Sequence, residues 1–212
     1  MAKKRFDQVH FNLRYYSDDQ KKEIFKKYLK AAEQGDAKAQ YELGGEYYWG
    51  KFTPTNKEEA VKWYRKAAEQ GHVYAQYNLG EMYHKGEGVQ RDYVEAVKWY
   101  RKAAEQEVAH AQNNLGQMYH YGEGVSRDDT EAFKWFCKAA EQGEKDAQNW
   151  LGVFYQDGKC VQRDYAEAVK WYRKAAEQEN VEAQYRLGNM YGYGWGVPEN
   201  KEEVSIPVQT GH

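Results

Sequence analysis

The side chains that usually perform nucleophilic catalysis are few in this sequence, and they stand in no catalytic motif. Each of the three serines, Ser17, Ser126 and Ser205, lacks the lysine three residues later that an S-x-x-K nucleophile requires. The chain also has no G-x-S-x-G elbow, no phosphate-binding loop and no dinucleotide-binding glycine run. We therefore predict a protein that is not an enzyme, with no catalytic residue and no cofactor.

Histidine and cysteine residues stand in no arrangement that is typical of a metal site or a redox centre. His84 and His120 lie 36 residues apart without an H-E-x-x-H motif around them, and a metal ion needs further ligands in a fixed geometry. Cys137 and Cys160 are too few for a disulfide framework. We predict no metal, and two inert thiols in a reducing compartment.

The charge balance excludes two classes of binding protein. Lys and Arg number 31 against 33 Asp and Glu, a net charge of −2, whereas nucleic-acid binders and polybasic membrane-surface proteins carry a basic excess. The mean hydropathy is −1.08, yet 16% of the residues are aromatic, which indicates a folded core of aromatic and alanine side chains. Because no membrane span or signal peptide is visible, we predict a cytoplasmic protein; a removed leader or leaderless secretion stays open.

The chain repeats itself every 36 residues, which identifies a repeat protein. The segment AQYELG at residues 39–44 recurs in related form at 75–80, 111–116, 147–152 and 183–188. A second block, AAEQ at 31–34, recurs in the same register. This predicts an N-terminal arm at 1–19, a capping helix at 20–38, repeats starting at 39, 75, 111, 147 and 183, and a tail at 201–212.

Each repeat has the pattern of two helices joined by a glycine-containing turn. Apolar residues at helical spacing predict helix A at about 75–84 and helix B at about 92–106. Asp92 with Glu95 three residues later has the spacing of a capping box at the start of helix B. Gly80 and its equivalents lie inside helix A, where a glycine costs about 1 kcal/mol, so we expect a close helix crossing there.

These columns closely resemble the Sel-one-like repeat (SLR) family, a relative of the tetratricopeptide repeats. The pattern A-x-x-x-L-G-x-x-Y-x-x-G-x-G-V-x-x-D-x-x-x-A-x-x-W-x-x-K-A-A matches residues 75–104, and the resemblance extends over about 20–200. The resemblance implies an all-α, right-handed superhelical α/α solenoid of bacterial type. It also implies a concave groove lined by helix A, which would bind a peptide or protein domain in an adaptor or scaffold.

Helix A positions that vary between repeats are the candidates for recognition, because columns of constant residue type are needed for the fold. We call these positions the variable stripe. Trp150 is the leading single candidate, because an exposed tryptophan on this face has no evident role in folding; the alternative is that these are ordinary solvated positions. The stripe comprises Tyr74, Tyr77, Asn78, Glu81, His84, His110, Asn113, Asn114, Gln117, His120, Tyr121, Asn149, Trp150, Val153, Gln156, Tyr185, Arg186 and Asn189.

The last repeat is incomplete. Pro207 falls in the tryptophan column of helix B and is not tolerated inside a helix, so the last helix A should lack its cover. We expect Tyr191, Tyr193, Trp195 and Val197 to be partly exposed, either under the tail or as a surface for self-association.

The sequence therefore predicts a protein-protein interaction module. The expected partner is a protein or peptide, with no nucleic acid and no membrane insertion. Two alternative functions would use the same groove. The protein would be an immunity or inhibitor protein that sequesters one toxin-like partner, or a secreted bacterial effector.

Overall fold

The computed structural model describes residues 17–197, and this part of the chain contains ten α-helices and no β-strand. The predicted tail and Pro207 lie outside those residues, and so does the predicted arm apart from residues 17–19. Helices B are α1, α3, α5, α7 and α9; helices A are α2, α4, α6, α8 and α10. Their bounds are α1 Asp18–Glu33, α2 Ala37–Trp49, α3 Lys57–Glu69, α4 Val73–Lys85, α5 Tyr93–Glu105, α6 Ala109–Tyr121, α7 Asp129–Glu141, α8 Lys145–Asp157, α9 Tyr165–Ala176 and α10 Val181–Tyr193.

The described part of the chain forms two compact units, unit 1 up to Arg91 and unit 2 from Asp92 onward. Within unit 1, the helices α1 to α4 each pack against the next helix in the chain. Within unit 2, the same holds for α5 to α10. The prediction of an all-α repeat fold built from helix-turn-helix pairs is confirmed.

The core of each unit consists of aromatic rings and small residues, as the composition predicts. Tyr64 and Tyr172 of helices B are fully buried, as are Leu79 and Leu151 of helices A. Buried alanines such as Ala67 fill the space between them. Small residues allow the helix axes to approach, and the rings supply most of the buried apolar area.

Glycine inside helix A makes room for an aromatic ring of the following helix B. A Cβ atom on Gly44 would lie 2.6 Å from Tyr64 Cδ1, and one on Gly152 would lie 2.4 Å from Tyr172 Cδ1. The matching distance from Gly116 to Phe136 Cε1 is 2.7 Å. The expected close helix crossing is therefore confirmed at these glycines.

Helix B begins with the predicted N-cap, but the glutamate three residues later has a different role from the one expected. Asp92 Oδ1 accepts from the backbone N–H groups of Val94 at 2.9 Å and Glu95 at 3.1 Å. The Glu95 carboxylate, however, accepts from Lys98 Nζ at 2.9 Å and Trp99 Nε1 at 3.2 Å. The cap is confirmed, whereas the carboxylate pairs with the next helical turn instead of closing a capping box.

Two glutamates stand where other repeats end helix B with glycine. Glu107 and Glu179 have positive φ angles of 63° and 60°. Gly143, the equivalent in another repeat, has φ 87°, and a Cβ atom on it would meet no neighbouring group within 4 Å. The strain at the two glutamates therefore comes from the left-handed backbone rather than from crowding.

The first repeat carries a buried carboxylate where later repeats have methionine or phenylalanine. Glu46 is 8% exposed, and its Oε2 accepts from the Phe52 backbone N–H at 3.1 Å. Burial raises the pKa of Glu46 to about 7 despite that hydrogen bond. Glu46 thereby ties the chain after α2 back to the helix, in place of the glycine-valine turn of later repeats.

We expect Glu107→Gly and Glu179→Gly each to raise the free energy of unfolding by about 1 kcal/mol, because glycine relieves the left-handed strain. Urea denaturation of the purified proteins measures the change. Gly143→Glu is the matched control and should lower stability by a similar amount. Equal stability of all three variants and the wild type would contradict the strain argument.

We expect Glu46→Gln to change how stability depends on pH. The pKa of Glu46 is about 7 in the folded chain and near 4.5 in the unfolded chain, so the protonated carboxyl stabilises the fold. This stabilisation is complete below pH 4.5 and is lost as the pH rises through 7. Between pH 5 and 8 the wild type should lose up to about 3 kcal/mol relative to Glu46→Gln, which keeps the acceptor without the charge. Parallel stability profiles from urea denaturation would refute this assignment.

Candidate protein-binding surface

The variable stripe lies on helices A, but its members differ widely in exposure. Tyr74, His110, Tyr121 and Tyr185 are exposed, whereas Asn113 is only 4% exposed. The rest are partly exposed: Tyr77, Asn78, Glu81, His84, Asn114, Gln117, His120, Asn149, Trp150, Val153, Gln156, Arg186 and Asn189. That these residues bind a partner stays a prediction.

Exposed aromatic side chains gather on helices A. Among the described residues, all six strongly exposed aromatic side chains lie on a helix A or in the loop directly after α10, and they are Trp49, Tyr74, Tyr121, Tyr185, Tyr193 and Trp195. On the helices B of the same region, the only large hydrophobic residue of similar exposure is Val94. The expected exposure at the last helix A is confirmed most clearly for Tyr193, at 67%.

Two aromatic residues of the first repeat were missed by the sequence argument. Tyr48 and Trp49 occupy the columns of His84 and Lys85, 36 residues earlier. Trp49 is 59% exposed, and its ring meets Tyr48 edge-to-face at 4.7 Å between centroids. Extending the variable columns one repeat toward the N-terminus would have identified both residues.

Unit 1 contains a pocket of about 180 Å³ between α2, α3 and α4. We call it the aromatic pocket, because four of its eight lining residues are tyrosine or tryptophan. It brings together three members of the variable stripe with the two missed residues. The lining consists of Tyr48, Trp49, Tyr64, Tyr77, Asn78, Glu81, Met82 and Lys85.

The charges around the aromatic pocket are compensated. Glu81 forms an ion pair with Lys85 one turn along α4. Glu87 accepts from the Tyr48 hydroxyl at 2.5 Å and pairs with Lys57 at 3.0 Å. Burial and the hydrogen bond to Glu87 raise the pKa of Tyr48 to about 12. The pocket therefore presents ring surfaces and neutralised carboxylates at neutral pH.

Trp150 of unit 2 is not the exposed residue that the sequence suggested. Its ring is stacked on Phe136 of α7, with centroids 5.3 Å apart and planes at 10°. The His120 ring lies 4.9 Å away, and Tyr121 meets it edge-to-face at 6.0 Å. The expectation of a tryptophan without a role in the fold was wrong, because Phe136 offers a flat apolar surface for it.

This pairing reflects two linked departures from the repeat pattern. Two other pairs of a helix B and the following helix A have a tyrosine on helix B and a polar residue on helix A. These are Tyr64 with Asn78 and Tyr172 with Arg186, and each pair is within hydrogen-bonding reach. The partners are always 14 residues apart. Phe136 has no hydroxyl to satisfy, so an indole ring replaces the polar partner.

His120 contacts a network of charged side chains centred on Asp129. Its Nδ1 lies 2.5 Å from Asp129 Oδ1, and Asp129 also pairs with Arg127 at 3.0 Å and Lys159 at 3.6 Å. Burial alone would raise the pKa of Asp129, but hydrogen bonds from Arg127 and His120 bring it below its ordinary value. Residues 17–197 contain no cluster of three His, Cys, Asp or Glu side chains placed to hold a metal.

Two asparagines of the stripe hold unpaired acceptors. The Oδ1 atoms of Asn113 on α6 and Asn149 on α8 are buried without a hydrogen-bond partner. They stand 36 residues apart in one column. An unpaired buried acceptor costs about 1–3 kcal/mol, so a donor supplied by a ligand would be favoured there.

His110 and the two cysteines complete the candidate groups. His110 is exposed, and the carboxylate of Glu144, 3.5 Å from its Nδ1, raises its pKa. Cys137 is half-buried, and burial raises its pKa to about 11, which makes it a poor nucleophile. Cys160 is an exposed thiol outside any disulfide.

The repeat pattern and the helix geometry agree with one known family. The Sel1 repeat matches residues 28–36, 37–72, 73–108, 109–144, 145–180 and 181–203. The chain therefore belongs to the Sel1 repeat family, whose repeats form a protein-interaction fold. The resemblance inferred from the sequence is confirmed.

Solved structures of bacterial proteins are similar to this chain. The protective antigen c5321 of uropathogenic Escherichia coli, which has an SLR fold, is 37% identical with a TM-score of 0.78, and covers 93% of this chain. This chain spans 46% of the length of c5321. A Sel1 repeat protein from Oxalobacter formigenes is 41% identical with a TM-score of 0.75, over 81% of this chain and 71% of its own.

A more distant similarity concerns an immunity protein. Pa5087 from Pseudomonas aeruginosa is 25% identical, with a TM-score of 0.51, over 80% of this chain and 63% of its own. A comparison with curated protein sequences gave no match. In the described part of the chain, no helix has the length and apolar character needed to cross a membrane.

We expect Trp150→Ala to lower the free energy of unfolding by about 2–3 kcal/mol, because it removes a ring stacked on Phe136. Trp49→Ala is the matched control: its ring is mostly exposed, so the loss should stay within about 1 kcal/mol. Urea denaturation followed by circular dichroism measures both. Equal losses would contradict the packing role given to Trp150.

Proposed function

We propose that this protein is a non-enzymatic interaction module that binds a peptide or protein domain on the surface of its helices A, as an adaptor or scaffold. The observation that carries the proposal is the restriction of strongly exposed aromatic side chains, among the described residues, to helices A and the loop after α10. Tyrosine and tryptophan are enriched at the energetic centres of protein interfaces.

The outer faces of helices B differ from this surface. Each of four helices B carries the same glutamate-lysine ion pair one turn apart, with N–O distances of 2.5 to 3.0 Å: Glu59–Lys62, Glu95–Lys98, Glu131–Lys134 and Glu167–Lys170. Such pairs keep a helix face solvated and charged. Interface cores are depleted in charged residues, so helices B are a poor location for the main interface.

Recognition on helices A would rest on rigid side chains and on hydrogen bonding to a peptide backbone. A tyrosine such as Tyr121 or Tyr185 presents a large contact area while losing few rotamers. The unpaired Oδ1 atom of the partly exposed Asn149 is an acceptor for a backbone N–H of the partner. No bond chemistry is needed for this role.

A second candidate is an immunity or inhibitor protein that sequesters one partner. The similarity to Pa5087, described as an immunity protein of Pseudomonas aeruginosa, supports it. The two roles differ in number of partners and affinity: an inhibitor binds one partner stoichiometrically and very tightly, whereas an adaptor binds several partners more weakly. A secreted effector role and a cytoplasmic location stay predictions.

Affinity capture with matched variants tests the proposed surface. The wild-type chain, Tyr121→Ala/Tyr185→Ala, and the helix B control Val94→Ala serve as baits in source-cell lysate. We expect partners to be retained by the wild type and Val94→Ala, and to bind the double variant about tenfold or more weakly, because exposed tyrosines at an interface centre contribute most of the energy.

Isothermal titration of each captured partner then separates adaptor from inhibitor. The proposal is wrong if the double variant, shown to be folded, binds every partner as tightly as the wild type does. It is also wrong if Val94→Ala weakens binding as much as the double variant.

A further inference from the structure

Unit 2 contains its own example of an aromatic side chain held between helices A and B. The Trp150 ring lies flat on Phe136, and the rings of His120 and Tyr121 surround it at centroid distances of 4.9 and 6.0 Å. Trp150 reaches this site from helix α8 of the same chain. A site of this kind therefore accommodates an indole ring.

The aromatic pocket of unit 1 is the same site without its tryptophan. Positions 72 residues earlier hold Tyr64 for Phe136, Tyr48 for His120 and Trp49 for Tyr121, so the aromatic walls are retained. Asn78 stands in the column of Trp150. Because asparagine is much smaller than tryptophan, the space is left as an open pocket of about 180 Å³.

The size of the pocket favours a single side chain as its occupant. Pockets for small molecules and cofactors usually measure about 300–1,000 Å³, well above this volume. One large side chain of a partner protein fills a space of this order. An exposed Trp49 at the rim would close over the edge of such a guest, as Tyr121 does beside Trp150.

The charges favour an aromatic guest over an ionised one. Glu81 and Glu87 are each paired with a lysine of the same unit, so an arginine or lysine guest would have to displace an existing cation. A planar ring needs no such exchange and packs against the aromatic rings that line the pocket. Asn78 and Glu81 also line the pocket and place polar groups beside the rings.

We propose that the aromatic pocket of unit 1 binds one aromatic side chain of a partner protein, and that an indole ring is its best occupant. This inference rests on the proposed function, since it names the chemistry that one part of the helix A surface recognises. It makes the pocket an anchor site for a tryptophan-containing segment.

Binding of N-acetyl-tryptophanamide to the full chain tests the pocket without any partner protein. Two-dimensional NMR of the aromatic and indole signals should place the probe at Trp49 and Tyr77, with a dissociation constant on the order of 1 mM. N-acetyl-leucinamide and N-acetyl-argininamide should bind at least about tenfold more weakly, since neither stacks as a large ring.

A variant that copies unit 2 fills the pocket from within. Tyr64→Phe/Asn78→Trp reproduces the Phe136 and Trp150 pair, so we expect it to fold and to lose probe binding by about tenfold or more. Trp49→Ala changes an exposed residue and should weaken probe binding severalfold. It replaces the double variant as the test if that variant fails to fold. Tyr185→Ala, in unit 2, should leave probe binding unchanged.

Three results would overturn the proposal: equal binding of the leucine or arginine probe, shifts located away from the pocket, or unchanged binding in both pocket variants. If only the pocket proposal is wrong, partners are still captured through Tyr121 and Tyr185. If only the proposed function is wrong, the probe binds the pocket but no protein partner is captured. The two outcomes are therefore distinguishable.

Discussion

An aromatic ring of helix B lies directly on a glycine of helix A, and the spacing of the helix pairs depends on this contact. A methyl group on Gly44, Gly116 or Gly152 would stand closer than 3 Å to the ring, so the ring of helix B lies directly against the backbone of helix A. The glycine weakens its own helix by about 1 kcal/mol relative to alanine. The buried ring more than offsets this cost through the apolar area that it removes from water.

The turns between the helices add a second constraint, which explains why the 36-residue period has no insertion. A Cβ on Gly124 would lie 2.2 Å from the Tyr93 backbone oxygen, and one on Gly88 would lie 2.3 Å from that of Lys57. Each turn therefore rests against the start of the preceding helix B. Inserting a residue would move the turn off this contact, so the length of the repeat is fixed by packing.

Most of the fold follows from the sequence, because its determinants are local and repeated. The Asp92 cap, the glycine column and the buried rings all lie at constant spacing. The packing of Trp150 did not follow, because it depends on Phe136, in another helix. Periodicity assigns a residue to a face of a helix, whereas its exposure depends on the size and polarity of the neighbour opposite.

The same column therefore holds different kinds of side chain in different repeats. With Tyr64 in helix B, the helix A partner is the polar Asn78, and an open pocket remains beside it. With Phe136 in helix B, the indole ring of Trp150 stacks on it and stays partly exposed. Because the two arrangements differ at positions 14 residues apart, we expect substitutions there to open or close a pocket without disturbing the glycine contact between the helices.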